Sequence, residues 1–305
     1  MRVVVIGSGA IGSVYGGWLL SGGADVAFVA RGDRFDQIRR QGIVMVGVDG
    51  VTTHRDIIVA RSAADLPPAD VLLFAMKTYD LEQAARTARN SLAAGGLVVG
   101  VQNGVDAGST LGGLFDPAQV MVGPVYSAAV LQADGRVRYE GKRNDVKIGS
   151  LHGVAHHHAK RLVDHWCRAG VAASIEDDIR VSLWTKFLFL ATNAALTCLS
   201  RQPAGIVYHD PLLLDVARQS IAEIAAIASA EGVPLGPDAK SEALAILTGF
   251  PPDVVASMRQ DLDAGRRLEL DAICGTIVRL GRKHGVATPV HDIAYACLKP
   301  FAEGA

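Results

Sequence analysis

The stretch RVVVIGSGAIG, residues 2–12, decides the fold of the first half of the chain. It opens as a β-rich run and continues as GSGAIG, which spaces Gly7, Gly9 and Gly12 as G-x-G-x-x-G. In such a loop the first glycine permits a tight turn and the second lets backbone approach a pyrophosphate. The third lets a helix pack on the strand. The spacing alone is common. Here a helical-length segment, 10–22, and a second apolar run, DVAFVA at 25–30, follow it. Strand, loop, helix and strand therefore come in the order that dinucleotide binding requires. The helix N-terminus would stabilise the phosphates, with Gly7, Ser8, Gly9, Ala10, Ile11 and Gly12 as the cradle.

Outward from this unit, DVLLFAM at 70–76 and GLVVGV at 96–101 read as further strands, with an Ala-rich helical segment at 79–93 between them. Strands this apolar on both faces suit a parallel sheet covered by helices. The expectation is an α/β, doubly wound, Rossmann-like N-terminal domain. From 119 to 149 three short strand-like runs with an Asp134-Gly135 turn suggest an antiparallel extension. A helix is expected at 156–170 and one more short strand after it. Beyond about residue 178 strand signals nearly vanish. Helical patterns run through 180–200, 211–232, 238–248, 252–262, 266–285 and 290–302, punctuated by prolines. Residues 1–177 are thus expected to bind the cofactor. Residues 178–305 are expected to form an all-helical C-terminal domain for substrate and catalysis, the substrate lying in the crevice between the halves.

Composition narrows the function. The 305 residues are 50% hydrophobic and 20% charged, with net charge −1. That allows a large core and offers no basic run suited to nucleic acid or an anionic membrane. The chain enters a strand at once, and no 18-residue window is uninterruptedly apolar, so a soluble cytoplasmic protein is expected. The four cysteines, Cys167, Cys198, Cys274 and Cys297, form no metal-binding spacing and read as small buried hydrophobes. Four histidines in HGVAHHHAK, His152 and His156–His158, read as a solvated helix start, because adjacent helical side chains diverge. No metal site is expected. The apolar stripe of 216–228 reads as core or as a subunit interface, which would give a homodimer through the helical domain.

Several polar residues stand where a bound dinucleotide would need them. An enzyme specific for NAD usually has an acid at the end of the second strand; this chain has Ala30 and Arg31, with Arg34 nearby. Arginine pairs with a 2′-phosphate, which favours NADP. Lys77 and Asn103 fall at carboxyl ends of strands, where open α/β sheets bind ligands. In LWTKFLFLATNAAL, 183–196, Lys186 is the one charge. By pattern alone it is a snorkelling lysine beside the stripe Leu183, Phe187, Leu190, Ala194 and Thr197, or a desolvated one fit to donate a proton. Ser257 and Glu269, in SMRQDLDAGRRLELDAICG, belong to a solvated amphipathic helix or to a site for a small oxo acid.

With these pieces together, the chain resembles the ketopantoate reductase (2-dehydropantoate 2-reductase) family over nearly its whole length. GSGAIG, VARGDR, MKTYD, VQNGV, LWTKFLFLATNAALTCLSR, SMRQDLDAGRRLELDAICG and GRKHGVATP carry the resemblance in this order. It implies reduction of 2-ketopantoate to pantoate with NADPH on the route to coenzyme A. The glycines would hold the pyrophosphate and Arg31 the 2′-phosphate, with Lys77 and Asn103 near the cofactor and Asn103 also near the substrate. Lys186 would be the proton donor, Ser257 a contact for the substrate carboxylate and Glu269 a supporting acid. The family places asparagines four and eight residues after the lysine and three before the serine, where this chain has Leu190, Ala194 and Val254. Asn193 stands one residue from the second of these and is the substrate-binding candidate there. A dehydrogenase for another 2-oxo or 3-hydroxy acid, or a non-catalytic NADPH sensor, stays open on this reading.

Overall fold

The computed structural model describes residues 1–140, 145–154 and 156–304. The chain divides into two compact units. One comprises Met1–Gln102 and Ala107–Ile179; the other comprises Asn103–Asp106 and the chain from Arg180 onwards.

The first unit contains β1 (Arg2–Ile6), α1 (Ala10–Ser21), β2 (Asp25–Val29), α2 (Gly32–Gln41), β3 (Ile43–Gly47), β4 (Gly50–His54), β5 (Ile58–Ala60) and β6 (Ala69–Phe74). It continues with α3 (Leu81–Ala88), β7 (Leu92–Gly100), α4 (Ala107–Gly112), β8 (Val120–Val122), β9 (Ala128–Leu131), β10 (Val137–Glu140), β11 (Val146–Ile148), α5 (His157–Arg168) and β12 (Ala173–Ile175). The main sheet runs β5-β2-β1-β6-β7-β8, parallel throughout. The strand order reverses at β1, the doubly wound arrangement in which ligands bind outside the carboxyl ends beside the reversal.

Alternation along each strand feeds two cores. Val3, Val5, Phe28 and Leu73 pack with Tyr15 of α1 and Trp166 of α5, whose indole N–H donates to the Tyr15 carbonyl at 3.1 Å. Val4, Ile6, Leu72 and Phe74 pack on the opposite face with Leu81 and Ala85 of α3.

The 119–149 segment departs from the expected antiparallel extension. β8 joins the main sheet in parallel; β9 and β10 form an antiparallel pair around the Asp134-Gly135 turn, and isolated antiparallel bridges link Val122 with Gly149 and Val125 with Val146. β10 then pairs in parallel with β3, and β11 with β12. Residues 141–144 of that segment lie outside the described residues. The hairpin β3–β4 and the edge strand β5 were not anticipated, because β4 is mostly exposed and β5 is three residues long.

The helical unit contains α6 (Ile179–Ser200), α7 (Ala204–Val207), α8 (Pro211–Ala230), α9 (Ala239–Thr248), α10 (Ser257–Asp263), α11 (Thr276–His284) and α12 (Pro289–Leu298), with a π-helical turn at Asp271–Gly275. Two expected helices are shorter than read. Residues 251–254 stay irregular, because the carbonyls of Pro252 and Val254 accept from the N–H groups of Gly205 and Ala204, so α10 starts at Ser257. Residues 266–269 lie outside any helix, since Gly265 takes a left-handed φ of 62° and Leu268 N–H donates to the Ala302 carbonyl. The 216–228 stripe supplies Ala217, Ile221, Ile224 and Ile227 to this unit's core.

α6 is long and apolar enough to cross a membrane, but 72% of its apolar window is buried inside the protein. Its Trp184, Phe187, Leu188, Ala191, Ala195 and Leu196 all enter one core, so the helix has no continuous wet face. The expected one-sided stripe is instead burial around nearly the whole circumference. Two cysteines also depart from expectation: Cys198 and Cys274 are buried, whereas Cys167 and Cys297 are exposed.

Candidate active site

In the first unit the glycine loop is built as three separate devices. Gly7 has φ 96°, and a β-carbon there would come within 2.8 Å of the Met76 backbone nitrogen. A β-carbon on Gly12 would overlap the Gly7 carbonyl oxygen, so the start of α1 seats directly on the turn. Gly9 differs: nothing lies within 4 Å of where its β-carbon would stand. That open position, at the N-cap of α1, is where a phosphate can approach the backbone. The first turn of α1 carries no acid, so its positive end is not neutralised locally.

Side chains brace the loop from below. Ser8 is buried and its hydroxyl donates to the Val29 carbonyl at 2.9 Å, which leaves backbone as its offering to a ligand. Ala10 and Ile11 likewise offer first-turn N–H groups, which have no intrahelical partners. Arg34 donates to the Ser8 carbonyl at 2.8 Å, to Ser13 Oγ at 2.8 Å and to the Gly135 carbonyl at 2.7 Å. Burial pushes this guanidinium down to about 10. Arg34 is therefore a strut of the loop. Arg31, at the N-cap of α2, is exposed and has no hydrogen bond or ion pair among the described residues. Lys77 follows β6 and opens a 3-10 turn at Thr78–Asp80. These residues fit a nicotinamide dinucleotide phosphate: an open glycine at a helix N-terminus for the pyrophosphate, and an unengaged arginine where an acid would select NAD.

Sequence reasoning passed over Gln102. Its amide donates to the Phe74 carbonyl at 2.8 Å, linking the carboxyl ends of β6 and β7. Its Oε1 is buried with no partner among the described residues. The available signal was a glutamine placed directly after an apolar strand.

The helical unit holds a second group. Lys186 is 8% exposed, which rules out the snorkelling reading, since α6 has no wet side for the ammonium to reach. Its Nζ donates to Asn103 Oδ1 at 2.8 Å. Burial pushes the lysine down to about 8, against the pull of the Glu269 carboxylate, which raises it. Glu269 is itself only 4% exposed. Lys186, Asn103 and Glu269 are thus brought together, a cation, an acceptor and an anion in a poorly hydrated setting. Such a lysine releases its proton far more readily than one in water.

Asn193 is buried, and its Oδ1 accepts from the Tyr208 hydroxyl at 3.0 Å, while its Nδ2 has no hydrogen-bond partner among the described residues. Ser257 is the exposed first residue of α10, its hydroxyl without a partner among the described residues. Leu190 and Val254 are half-buried against the helical core, and Ala194 is inside it.

Two other polar groupings are structural. Ser220, His291 and Glu223 are linked at 3.3 and 2.7 Å in the order of a nucleophilic triad, but all are buried and Thr192 also bonds Ser220 at 2.7 Å. They bolt α6, α8 and α12 together. The His156 ring caps α5 by accepting from the His158 N–H at 3.3 Å. Among the described residues no three His, Cys, Asp or Glu side chains gather in a metal-binding group.

Comparison with known proteins agrees with this layout. Residues 3–153 match the family described as "Ketopantoate reductase PanE/ApbA", and residues 178–302 match "Ketopantoate reductase PanE/ApbA C terminal". The chain is 30% identical over 301 residues to the 2-dehydropantoate 2-reductase of Caulobacter vibrioides, covering 98% of this chain and 99% of that one. It is similar to the crystal structure of a PanE/ApbA family ketopantoate reductase from Ralstonia eutropha, with TM-score 0.91, 29% identity, and 99% and 98% of the two chains covered. A ternary structure of D-mandelate dehydrogenase with NADH and anilino(oxo)acetate shares the fold, with TM-score 0.90 at 22% identity, covering 99% and 98%. The chain belongs to the ketopantoate reductase family, whose members are NADPH-using oxidoreductases acting on a CH–OH group.

Proposed function

We propose that the protein reduces a 2-oxo acid to the 2-hydroxy acid with NADPH, and that 2-dehydropantoate, reduced to pantoate for coenzyme A biosynthesis, is its first-choice substrate. The observation that carries this reading is Lys186, buried, bonded to Asn103 and pushed down to about 8. NADPH, when bound, supplies the hydride that the carbonyl carbon receives. Gly7, Gly9 and Gly12 would hold its pyrophosphate, Arg31 its 2′-phosphate, and Lys77 would lie along it.

Lys186 performs the proton half of the reaction. The carbonyl oxygen gains negative charge as its carbon is reduced, and the ammonium stabilises that charge before giving it a proton. The neutral amine is then reprotonated from solvent. Glu269 keeps the lysine charged at neutral pH despite its burial, so the proton is present when needed. Asn103 orients the ammonium, Ser257 contacts the substrate carboxylate, and Asn193 offers its amide N–H groups to a substrate oxygen.

A specific observation favours a second reading within the same chemistry. Leu190 and Val254, half-buried, and Ala194, inside the helical core, are apolar where the family resemblance implies amides. A substrate hydroxyl left unpaired against them costs about 1–3 kcal/mol, so a 2-oxo acid with an apolar side chain is the alternative. The test is NADPH oxidation by wild type and Lys186→Ala against 2-dehydropantoate, aliphatic and aromatic 2-oxo acids, and 3-oxo acids. Turnover of a 2-oxo acid, lost roughly 10²–10⁴-fold in the variant with NADPH affinity kept, is the expected result. Full turnover by Lys186→Ala, or turnover of 3-oxo acids alone, would refute the assignment.

A further inference from the structure

Four residues, Asn103–Asp106, leave the strand-rich unit and belong to the helical one. What holds them there is specific. Thr276, fully buried at the start of α11, donates its hydroxyl proton to Asp106 Oδ2. Arg279, one turn further along α11, donates from Nη2 to the same carboxylate oxygen at 2.6 Å and to Thr276 Oγ1 at 3.1 Å. One oxygen thus takes two donors, one of them charged, in the strong class of hydrogen bonds. Between Asp106 and Asn103 the chain is pressed onto the π-helical turn. Gly104 has φ 94°, and a β-carbon there would lie 2.9 Å from the Ala272 carbonyl oxygen. Val105 packs against the helical core. Asn103 is three residues from Asp106, within about 10 Å of chain, and its Oδ1 accepts a hydrogen bond from the Lys186 ammonium.

We propose that Asp106, Thr276 and Arg279 are positioning residues, a clasp that sets Asn103 on the Lys186 ammonium and so fixes the direction of the proton donor. This rests on Lys186 being that donor. The π-helical turn is part of the device. Its extra residue per turn offsets the α11 face that carries Thr276 and Arg279 from the one that a regular helix would present. With the clasp open, Asn103 is free to leave, and a buried ammonium loses an acceptor and its orientation.

The test uses the full chain with Thr276→Val, which keeps shape and removes the hydroxyl, Thr276→Ser, which restores it, and Asp106→Asn. Two readouts are taken: turnover, and the pH midpoint of Lys186 acetylation by acetic anhydride, followed by peptide mass spectrometry. Thr276→Val should lower kcat roughly ten- to hundred-fold, as misplacement of a reacting group does, with NADPH affinity held. It should also displace the acetylation midpoint from that of wild type. Thr276→Ser should recover most of both.

A purely structural role would lower the melting temperature and leave the midpoint in place. A folded Thr276→Val with a wild-type midpoint overturns the proposal. Should that variant fail to fold, the half-exposed Asp106→Asn decides in its place: a displaced midpoint supports the clasp and a wild-type one overturns it. The acetylation midpoint needs no turnover, so the two ideas fail separately. Full activity in Lys186→Ala with a displaced midpoint in Thr276→Val removes the proton-donor reading and leaves the clasp. Lost activity in Lys186→Ala with an unmoved midpoint does the reverse.

Discussion

The depressed Lys186 makes a sharp prediction about pH. An ordinary lysine holds its proton to 10.5, whereas this one, desolvated first and partly rescued by Glu269, releases it near 8. Reduction needs the protonated amine. The protonated fraction is about 0.9 at pH 7 and about 0.1 at pH 9 for the buried group, against about 0.97 at pH 9 for an unperturbed lysine. The kcat/KM for the oxo acid, which reports groups of the enzyme before the acid binds, should therefore fall about ten-fold between pH 7 and pH 9.

The reverse reaction gives an internal check. Oxidation of the hydroxy acid needs the neutral amine as base, so its kcat/KM should rise through the same midpoint. Glu269→Gln removes the anion that supports the charged form and should move both limbs to lower pH. The assay is the initial rate of NADPH absorbance loss, or gain in reverse, at saturating cofactor. A reduction rate that stays flat to pH 10 would refute proton donation by Lys186 in this environment, as would forward and reverse limbs with unrelated midpoints.

Three further outcomes follow from the geometry. Gly9→Ala should fold with unchanged melting temperature, since its β-carbon meets no atom, yet weaken NADPH binding at least ten-fold by titration. Gly12→Ala should lose stability by about 1–3 kcal/mol in denaturant unfolding, because its β-carbon collides with the Gly7 carbonyl. Arg31→Ala should raise the KM for NADPH roughly 10–100-fold, the equivalent of about 1.5–3 kcal/mol of charged hydrogen bonding, and leave the KM for NADH unchanged.

Stability should also carry the mark of Lys186. Its proton is held less tightly folded than unfolded, so the penalty is present below about 8 and disappears as pH rises to 10.5. Across that window the unfolding free energy of wild type should rise by about 3 kcal/mol relative to Lys186→Met, measured by urea denaturation at each pH.

Much of this was legible in the residues. The glycine loop announced itself because backbone constraints act locally: Gly7 needs its left-handed φ, and Gly12 tolerates no side chain, whatever the rest of the chain does. The parallel strands were readable because burial on both faces leaves an uninterrupted apolar run. The strands β3 to β5 were not, since their residues are mostly solvated on one side and their pairing is set by distant partners. Lys186 was ambiguous for a related reason. Periodicity distinguishes a wet face from a dry one only when a helix has both, and α6 is dry almost all round. The roles of Arg31 and Arg34 were separable only in three dimensions, where one is tied into the loop and the other is free. Gln102, Asp106 and Thr276 left little trace, because their long-range partners lie 26 to 173 residues away.

The loan of Asn103–Asp106 to the helical unit also bears on how the protein can be cut and made. A fragment starting at Arg180 would contain Lys186 and the whole helical bundle, yet lack the amide oxygen that accepts the lysine's hydrogen bond and the carboxylate that Thr276 and Arg279 address. Its complement would carry four residues with no partner to settle on. The two units are therefore not independent modules along the chain, and excising either at the obvious boundary leaves both unfinished. During synthesis the same four residues must wait until about 170 more have been added before their anchors exist. Completion of the lysine's environment consequently waits for α11 to be synthesised, a dependence that exchanging whole domains between relatives would have to respect.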